Sequence, residues 1–367
     1  MTTTTAAPAG TLVVSGWSAA SPYGLGADAF TAGLAAGDPA THPLPDPAGP
    51  YDRAGIVPGF DIRAVLGRKG TRAMDRATAL AVATAGLLLD SAGPGLAQDL
   101  PDDIGMVLGT GHGSVQSIMD FTRSSLTAEK PIHVDPAHFP NTVMNKAAGQ
   151  SAIWHRLRGP NTTVAGGAVT GLLALNYAAR LLRQGHCEAV LCGAVEEFSA
   201  ERAWLEYRGR APHRPAGPLG EGCALFLLES AARARAYGRT AVATVRGARF
   251  IAFSEPEGTG PAVVRAVTEV LKEADVRPED VRLLVPSDCG GVLGGREESA
   301  LAGVFADGGG RRSVRLRRLI GDTSAASSAF QLAAAVSAAR PGELVLVTSV
   351  DPDGQVGATV LEAGGAS

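Results

Sequence analysis

The stretch Gly159-Pro-Asn-Thr-Thr-Val-Ala-Gly-Gly-Ala168-Val-Thr-Gly171 has the residue types of a nucleophile elbow, with an alanine at its tip. Thr162, Thr163 and Val164 are β-branched and favour a strand, Gly166 and Gly167 permit a sharp turn, and Leu172, Leu173, Leu175, Ala178, Ala179 and Leu182 then recur at helical spacing. A strand-turn-helix of this kind aims the turn residue at a helix N-terminus. There, unpaired N–H groups and the helix dipole lower a thiol's pKa and hold a developing oxyanion, the chemistry of acyl transfer. The methyl group of Ala168 can use none of that activation. Taken alone, the same residues also describe an ordinary buried glycine turn.

Other side chains could react. Cys289 lies in Ser287-Asp-Cys-Gly-Gly291, a glycine loop after the strand-like run Val281–Val285, where a reactive thiol is one possibility and a buried small hydrophobe the other. Cys187, Cys192 and Cys223 lie in or beside apolar runs, and the four cysteines lack metal-ligand spacing. His133 and His138 sit in the turn-rich segment 132–145, but no carboxylate or cysteine completes a ligand set, so no metal is predicted. The run Arg311-Arg-Ser-Val-Arg-Leu-Arg-Arg318 concentrates positive charge. Arg311, Arg312, Arg315, Arg317 and Arg318 could dock an acidic partner; alternation with Val314 and Leu316 also describes a strand with one solvated face.

The elements that must position these residues repeat. A helix over 79–92, the strand 104–108, the glycine loop Gly109-Thr-Gly-His-Gly113, the elbow with its long helix and the strand 189–193 make one series. A helix over 262–274, Val281–Val285, the loop 288–291, the turn Ile320-Gly-Asp-Thr323, a helix over 325–339 and the strand 344–347 make a second. Strands alternating with helices predict mainly parallel sheets covered on both faces, two halves (1–235 and 236–367) packed in an α/β/α/β/α order. With 367 residues, 45% of them hydrophobic, the chain can bury a large core. Its net charge of −3 gives no reason to expect nucleic acid or a membrane surface. No apolar run approaches a membrane span and the first residues lack signal-peptide character, so the predicted residence is cytoplasmic.

Thr11-Leu-Val-Val-Ser-Gly16, Ser21-Pro-Tyr-Gly24, Met74-Asp-Arg76, Gly159-Pro-Asn161 and Gly220-Glu-Gly222, in this order and on an internal repeat, resemble the β-ketoacyl synthases of the thiolase-like fold. The resemblance runs from about residue 11 to residue 362 and implies that fold. Family members that condense use a cysteine at the elbow and two histidines from later loops. Here the matching positions are Ala168, Asp288 and Asp322, the lysine before the second histidine is Arg317, and Val350-Asp-Pro-Asp-Gly354 replaces the gate loop. Aspartates at these positions would oppose a reaction that accumulates negative charge.

The resemblance therefore narrows to the catalytically silent chain length factors, the β subunits of type II polyketide synthases. It implies a heterodimer with a catalytic ketosynthase, acyl chains carried on the phosphopantetheine of an acyl carrier protein, and no cofactor of its own. Alanine at the elbow, where factors of aromatic systems often carry glutamine, fits the subunits of reducing, polyene-making systems better. By the same analogy Val115, Ile118, Met119 and Thr122 share a helix face that lines the partner's tunnel, with Phe121 as a floor or gate and Gln116, Ser117 and Asp120 pointing elsewhere. The plain alternative is a core-facing stripe. Asn161, Thr162, Thr163 and Val164 are expected to pair with their counterparts across the dimer, with His133, His138 and Phe139 near the partner's site. Two other functions stay open: an enzyme whose chemistry moved to Asp288, Asp322 or Cys289, and a homodimeric acyl-binding scaffold.

Overall fold

The computed structural model describes residues 10–93, 96, 103–210, 217–306 and 310–364. The main sheet contains two sets of five strands in the same spatial order. One runs Leu12–Ser21, Gly222–Ser230, Ala189–Glu196, Ile104–Gly109, Asn161–Val164; the other runs Ala243–Ala252, Gln355–Ala363, Leu344–Asp351, Val281–Val285, Arg312–Ser313. One irregularity recurs: the first strand of each set slips register, between Val14 and Gly16 and between Val245 and Gly247. The sets join where Val13 and Val14 pair with Thr244 and Ala243.

The sheet is mixed, which corrects the mainly parallel expectation. In each set the first two pairings are antiparallel and the last two parallel. One reason is a tight hairpin where the alternating pattern called for a crossover. Pro352, Asp353 and Gly354 connect Leu344–Asp351 to Gln355–Ala363, with Gly354 N–H donating to the Asp351 carbonyl (3.1 Å) and Gly354 at φ +103°. So short a connection can only reverse the chain.

Three apolar cores define the five layers. Leu80 and Leu88 of the helix Arg76–Ser91 and Ala148 of Lys146–His155 pack on Met106, Leu191 and Leu225 of the first set. Val263 and Val267 of Thr259–Glu273, with Leu301 of Gly291–Val304, cover Leu346 and Val360 of the second. Between the sets lie the elbow helix Thr170–Arg183 and its counterpart Ser327–Ala338, whose Leu172, Leu175 and Phe330 touch Val190 and Phe226 on one side and Val285 and Val345 on the other. The thiolase-like arrangement is thus present. The two central helices approach so closely that a Cβ on Gly171 would meet the backbone of Ala329.

Two of the short motifs meet in space. Arg76 Nε reaches Glu221 Oε2 (2.7 Å), and the fully buried Glu221 carboxylate also accepts from Val57 N–H (2.9 Å) and Phe198 N–H (3.0 Å). A charge taken out of water persists only when its lone pairs are filled in this way. Asp75 caps the following helix by accepting from Thr78 N–H (2.8 Å), a contribution of about 1 kcal/mol. Among the described residues no helix is long and apolar enough to cross a membrane.

Candidate functional site

The elbow forms as its residues dictate. Asn161–Val164 ends, Gly167 turns the chain at φ +57°, and Ala168 stands at the tip before the helix Thr170–Arg183. The donors that would activate a nucleophile there are already engaged. Ala168 N–H donates to Asp351 Oδ2 (3.3 Å), and Gly171 and Leu172 N–H both donate to Ser328 Oγ (2.8 and 3.3 Å). Ser349 Oγ donates to the Ala168 carbonyl (3.0 Å). A Cβ on Gly167 would collide with the Asp351 carboxylate. The hairpin after Leu344–Asp351 therefore delivers a buried carboxylate to the elbow, where an acyl-transfer enzyme would bind a developing oxyanion.

The cavity before Ala168 is small, about 40 Å³. Cys289, Asp322 and Ser287 line it with Ala168. Asp322 is tied to Arg317 (2.8 Å), whose Nη1 also donates to the Cys289 carbonyl (2.5 Å). Asp288 stays outside this lining: its backbone is left-handed (φ +52°), and its carboxylate lies 3.7 Å from Arg315. Thus Ala168 and Asp322 come together as the motif positions require, while Ser287 and Cys289 face the cavity where Asp288 was expected. Burial, then the nearby Glu297 carboxylate, push the Cys289 thiol up to about 12. Its thiolate is not populated near neutral pH, which argues against the displaced nucleophile.

The helix Val115–Thr127 begins where Ser114 caps it. Val115 is buried, while Met119 (45% exposed), Thr122 and Leu126 (80%) face outward, next to a surface with Ile132 and Phe139 (57%). Phe121 lies against Phe139, ring centroids 5.8 Å apart. Ser117 and Asp120 line a cavity of about 360 Å³ together with Phe121. Glu197, absent from the sequence-level candidates, fastens two helices: it accepts from Ala77 N–H (3.2 Å), Gln116 N–H (3.2 Å) and Ser114 Oγ (3.0 Å). Burial raises its carboxyl to about 7, with the like charge of Asp75 adding to the shift.

Asn161–Val164 is an edge strand, paired on one side with Ile104–Gly109. His133 and His138 are exposed, and His138 Nε2 lies 3.8 Å from Asp135. Among the described residues no three His, Cys, Asp or Glu side chains converge as a metal site would require.

The arginine run is neither an extended strand nor an open patch. Only Arg312 and Ser313 pair in the sheet, and Arg317–Ile320 turns helical. Arg312 is bound to Glu343, Arg315 to Glu298 and Arg317 to Asp322, while Arg311 lies over the Phe305 ring (4.9 Å) and donates to the Pro278 carbonyl (3.0 Å). Arg318 is the exposed member. Carboxylates from neighbouring elements pair with three arginines of a run that looks concentrated only when read along the chain.

This scaffold matches known proteins. The N-terminal domain of β-ketoacyl synthase matches residues 10–234 and the C-terminal domain residues 239–351. The chain belongs to the β-ketoacyl synthase family. Its structure is similar to that of the ishigamide ketosynthase/chain length factor, with 41% identity and a TM-score of 0.89 over 97% of this chain and 100% of that one. A β-ketoacyl synthase from Burkholderia phymatum shares the fold at 20% identity and a TM-score of 0.83, covering 96% and 99%. A type II polyketide ketosynthase in complex with its acyl-carrier protein does so at 18% and 0.80, covering 97% and 100%. By sequence, 3-oxoacyl-(acyl-carrier-protein) synthase 2 of Vibrio cholerae is 27% identical over 252 residues, 62% of this chain and 60% of that protein. The chain thus spans about three fifths of the length of such curated relatives.

Proposed function

We propose that this chain is the catalytically silent, ketosynthase-like subunit of a type II polyketide synthase, a chain length factor that pairs with a catalytic ketosynthase in the cytoplasm. The observation that carries this reading is the elbow: an intact ketosynthase scaffold presents Ala168, and Asp351 holds the N–H that an acyl-transfer site would need. The likeness to the ishigamide ketosynthase/chain length factor supports it. In this reading the catalytic partner supplies the cysteine, the two histidines and the docking surface for the carrier protein, because the Arg311–Arg318 run is largely ion-paired here. The acyl chain arrives on the carrier's phosphopantetheine.

Asn161–Val164 continues the partner's sheet, which would satisfy the backbone groups an isolated edge leaves open. Met119, Phe139, His133 and His138 lie in the contact. Val115, Ile118, Met119, Phe121 and Thr122 belong to the helix that limits the tunnel. The test is co-expression with a ketosynthase bearing the intact cysteine and histidines, followed by mass determination and an elongation assay on malonyl-loaded carrier protein. A one-to-one complex whose elongation stops when the partner's cysteine is replaced is expected. A homodimer that ignores the partner overturns the reading.

A further inference from the structure

Asn161–Val164 and Arg312–Ser313 form the two ends of the main sheet. The first is assigned above to the ketosynthase partner; the second lies at the far end from that contact, and among the described residues no strand pairs with its outer side. Its free hydrogen-bonding groups face outward. Val314 N–H donates to the Leu284 carbonyl (3.0 Å), and Ser313 lies opposite Leu284 in a parallel ladder. Alternation along the strand therefore turns the N–H and carbonyl of the exposed Ser313 away from the sheet.

A cavity flanks this edge on each face of the sheet. Toward the helix Gly291–Val304 lies one of about 370 Å³, walled by Leu284, Leu301 and Phe305. Toward the helices Ala27–Ala36 and Ser327–Ala338 lies one of about 440 Å³, walled by Leu34, Val314 and Leu319. Ser313 and Arg315 line both. A very short edge strand among arginines is one way to guard an edge against pairing, but guarding requires no apolar hollow on either face. An added strand does use them, because its successive side chains point to opposite faces and enter one hollow each. Several polar groups of the linings are already engaged: Thr31 Oγ1 donates to Ser337 Oγ (3.1 Å), and Arg315 pairs with Glu298. Arg318, on the larger cavity, is exposed, and no carboxylate pairs with it among the described residues. The charge it would meet is negative. We propose that the Arg312–Ser313 edge takes an extended acidic segment of another protein as an added strand, with neighbouring apolar side chains of that segment in the two cavities, an interaction independent of the chain length factor reading.

The test is titration of the purified full chain with a labelled peptide, Asp-Glu-Val-Leu-Val-Glu-Asp, against two controls. One carries lysine at every acidic position; the other is N-methylated at alternate residues, which removes the donors that strand pairing needs. Both controls are expected to bind about tenfold weaker, equivalent to about 1.4 kcal/mol, and the bound acidic peptide is expected to slow amide exchange at Ser313. Ser313→Pro deletes the outward N–H at a position where an open edge tolerates proline, and is expected to abolish binding without changing the melting temperature. Arg318→Glu reverses the exposed charge and is expected to remove the preference for the acidic peptide over its lysine counterpart, so the test stands even where Ser313→Pro fails to fold. Binding by no peptide, equal binding of the N-methylated peptide, or protection confined to segments outside residues 311–315 overturns the inference. A chain that instead associates with itself through this edge, and ceases to do so with Ser313→Pro, has a second copy as its occupant and likewise overturns it.

Discussion

Ala168 puts a methyl group at the elbow tip, and Asp351 engages an N–H that would activate a nucleophile there; in the proposed reading both are losses. These are separate losses. The alanine was legible in the sequence because the β-branched strand, paired glycines and leucine-spaced helix around it define an elbow. Asp351 was visible only as part of an altered loop, since its partner lies 183 positions away and no local pattern reports such a contact. The two losses can be separated by experiment. Ala168→Cys alone is expected to place a sluggish thiol beside a fixed carboxylate, whose like charge opposes thiolate formation. Adding Asp351→Asn removes that charge, and the rate of alkylation by iodoacetamide at pH 7 is expected to rise about tenfold, as for a pKa lowered by about one unit. Neither variant is expected to condense acyl chains, because Asp322, Ser287 and Cys289 line the cavity where imidazoles would be needed. Equal alkylation rates would show that Asp351 does not govern the elbow.

Among the elements, the helices Arg76–Ser91 and Val115–Thr127 were anticipated as helices, but their mutual attachment was not. Glu197 supplies it, with one carboxyl reaching the first turn of both. Its carboxyl titrates near 7 in the folded chain against an ordinary 4.5. Between those values the folded state binds more protons than the unfolded state, so stability falls as pH rises through the window, and the cost is fully present above pH 7. It is on the order of 3 kcal/mol, with the three hydrogen bonds already counted in it. Denaturant midpoints are therefore expected to fall between pH 5.5 and pH 8, and Glu197→Gln, neutral throughout, is expected to flatten that decline. Parallel slopes for the two proteins would refute the assignment. The mixed strand directions have a comparable origin: the sequence shows strands and helices, but a three-residue hairpin such as Pro352–Gly354 decides which neighbours run antiparallel.

At the scale of the whole molecule, Met119, Leu126, Ile132 and Phe139 are large apolar side chains left exposed. Such patches mark interfaces. Met119→Glu and Phe139→Glu are each expected to weaken association with a catalytic ketosynthase at least tenfold. The melting temperature of the isolated chain is expected to stay unchanged, because both side chains are substantially exposed. Unaltered association on analytical ultracentrifugation would move the interface elsewhere. The amino-acid sequence by itself determined the repeated halves, the layered architecture, the elbow and its missing nucleophile, because hydrophobic period, glycine placement and β-branching act over a few residues. Only the tertiary structure decided that Asp351 and Ser328 occupy the elbow's donors, that most of the arginine run finds partners, and that Glu197 ties two helices together. Each of those depends on groups brought together from distant parts of the chain, where electrostatics and hydrogen bonding act through space and leave no periodic trace along it.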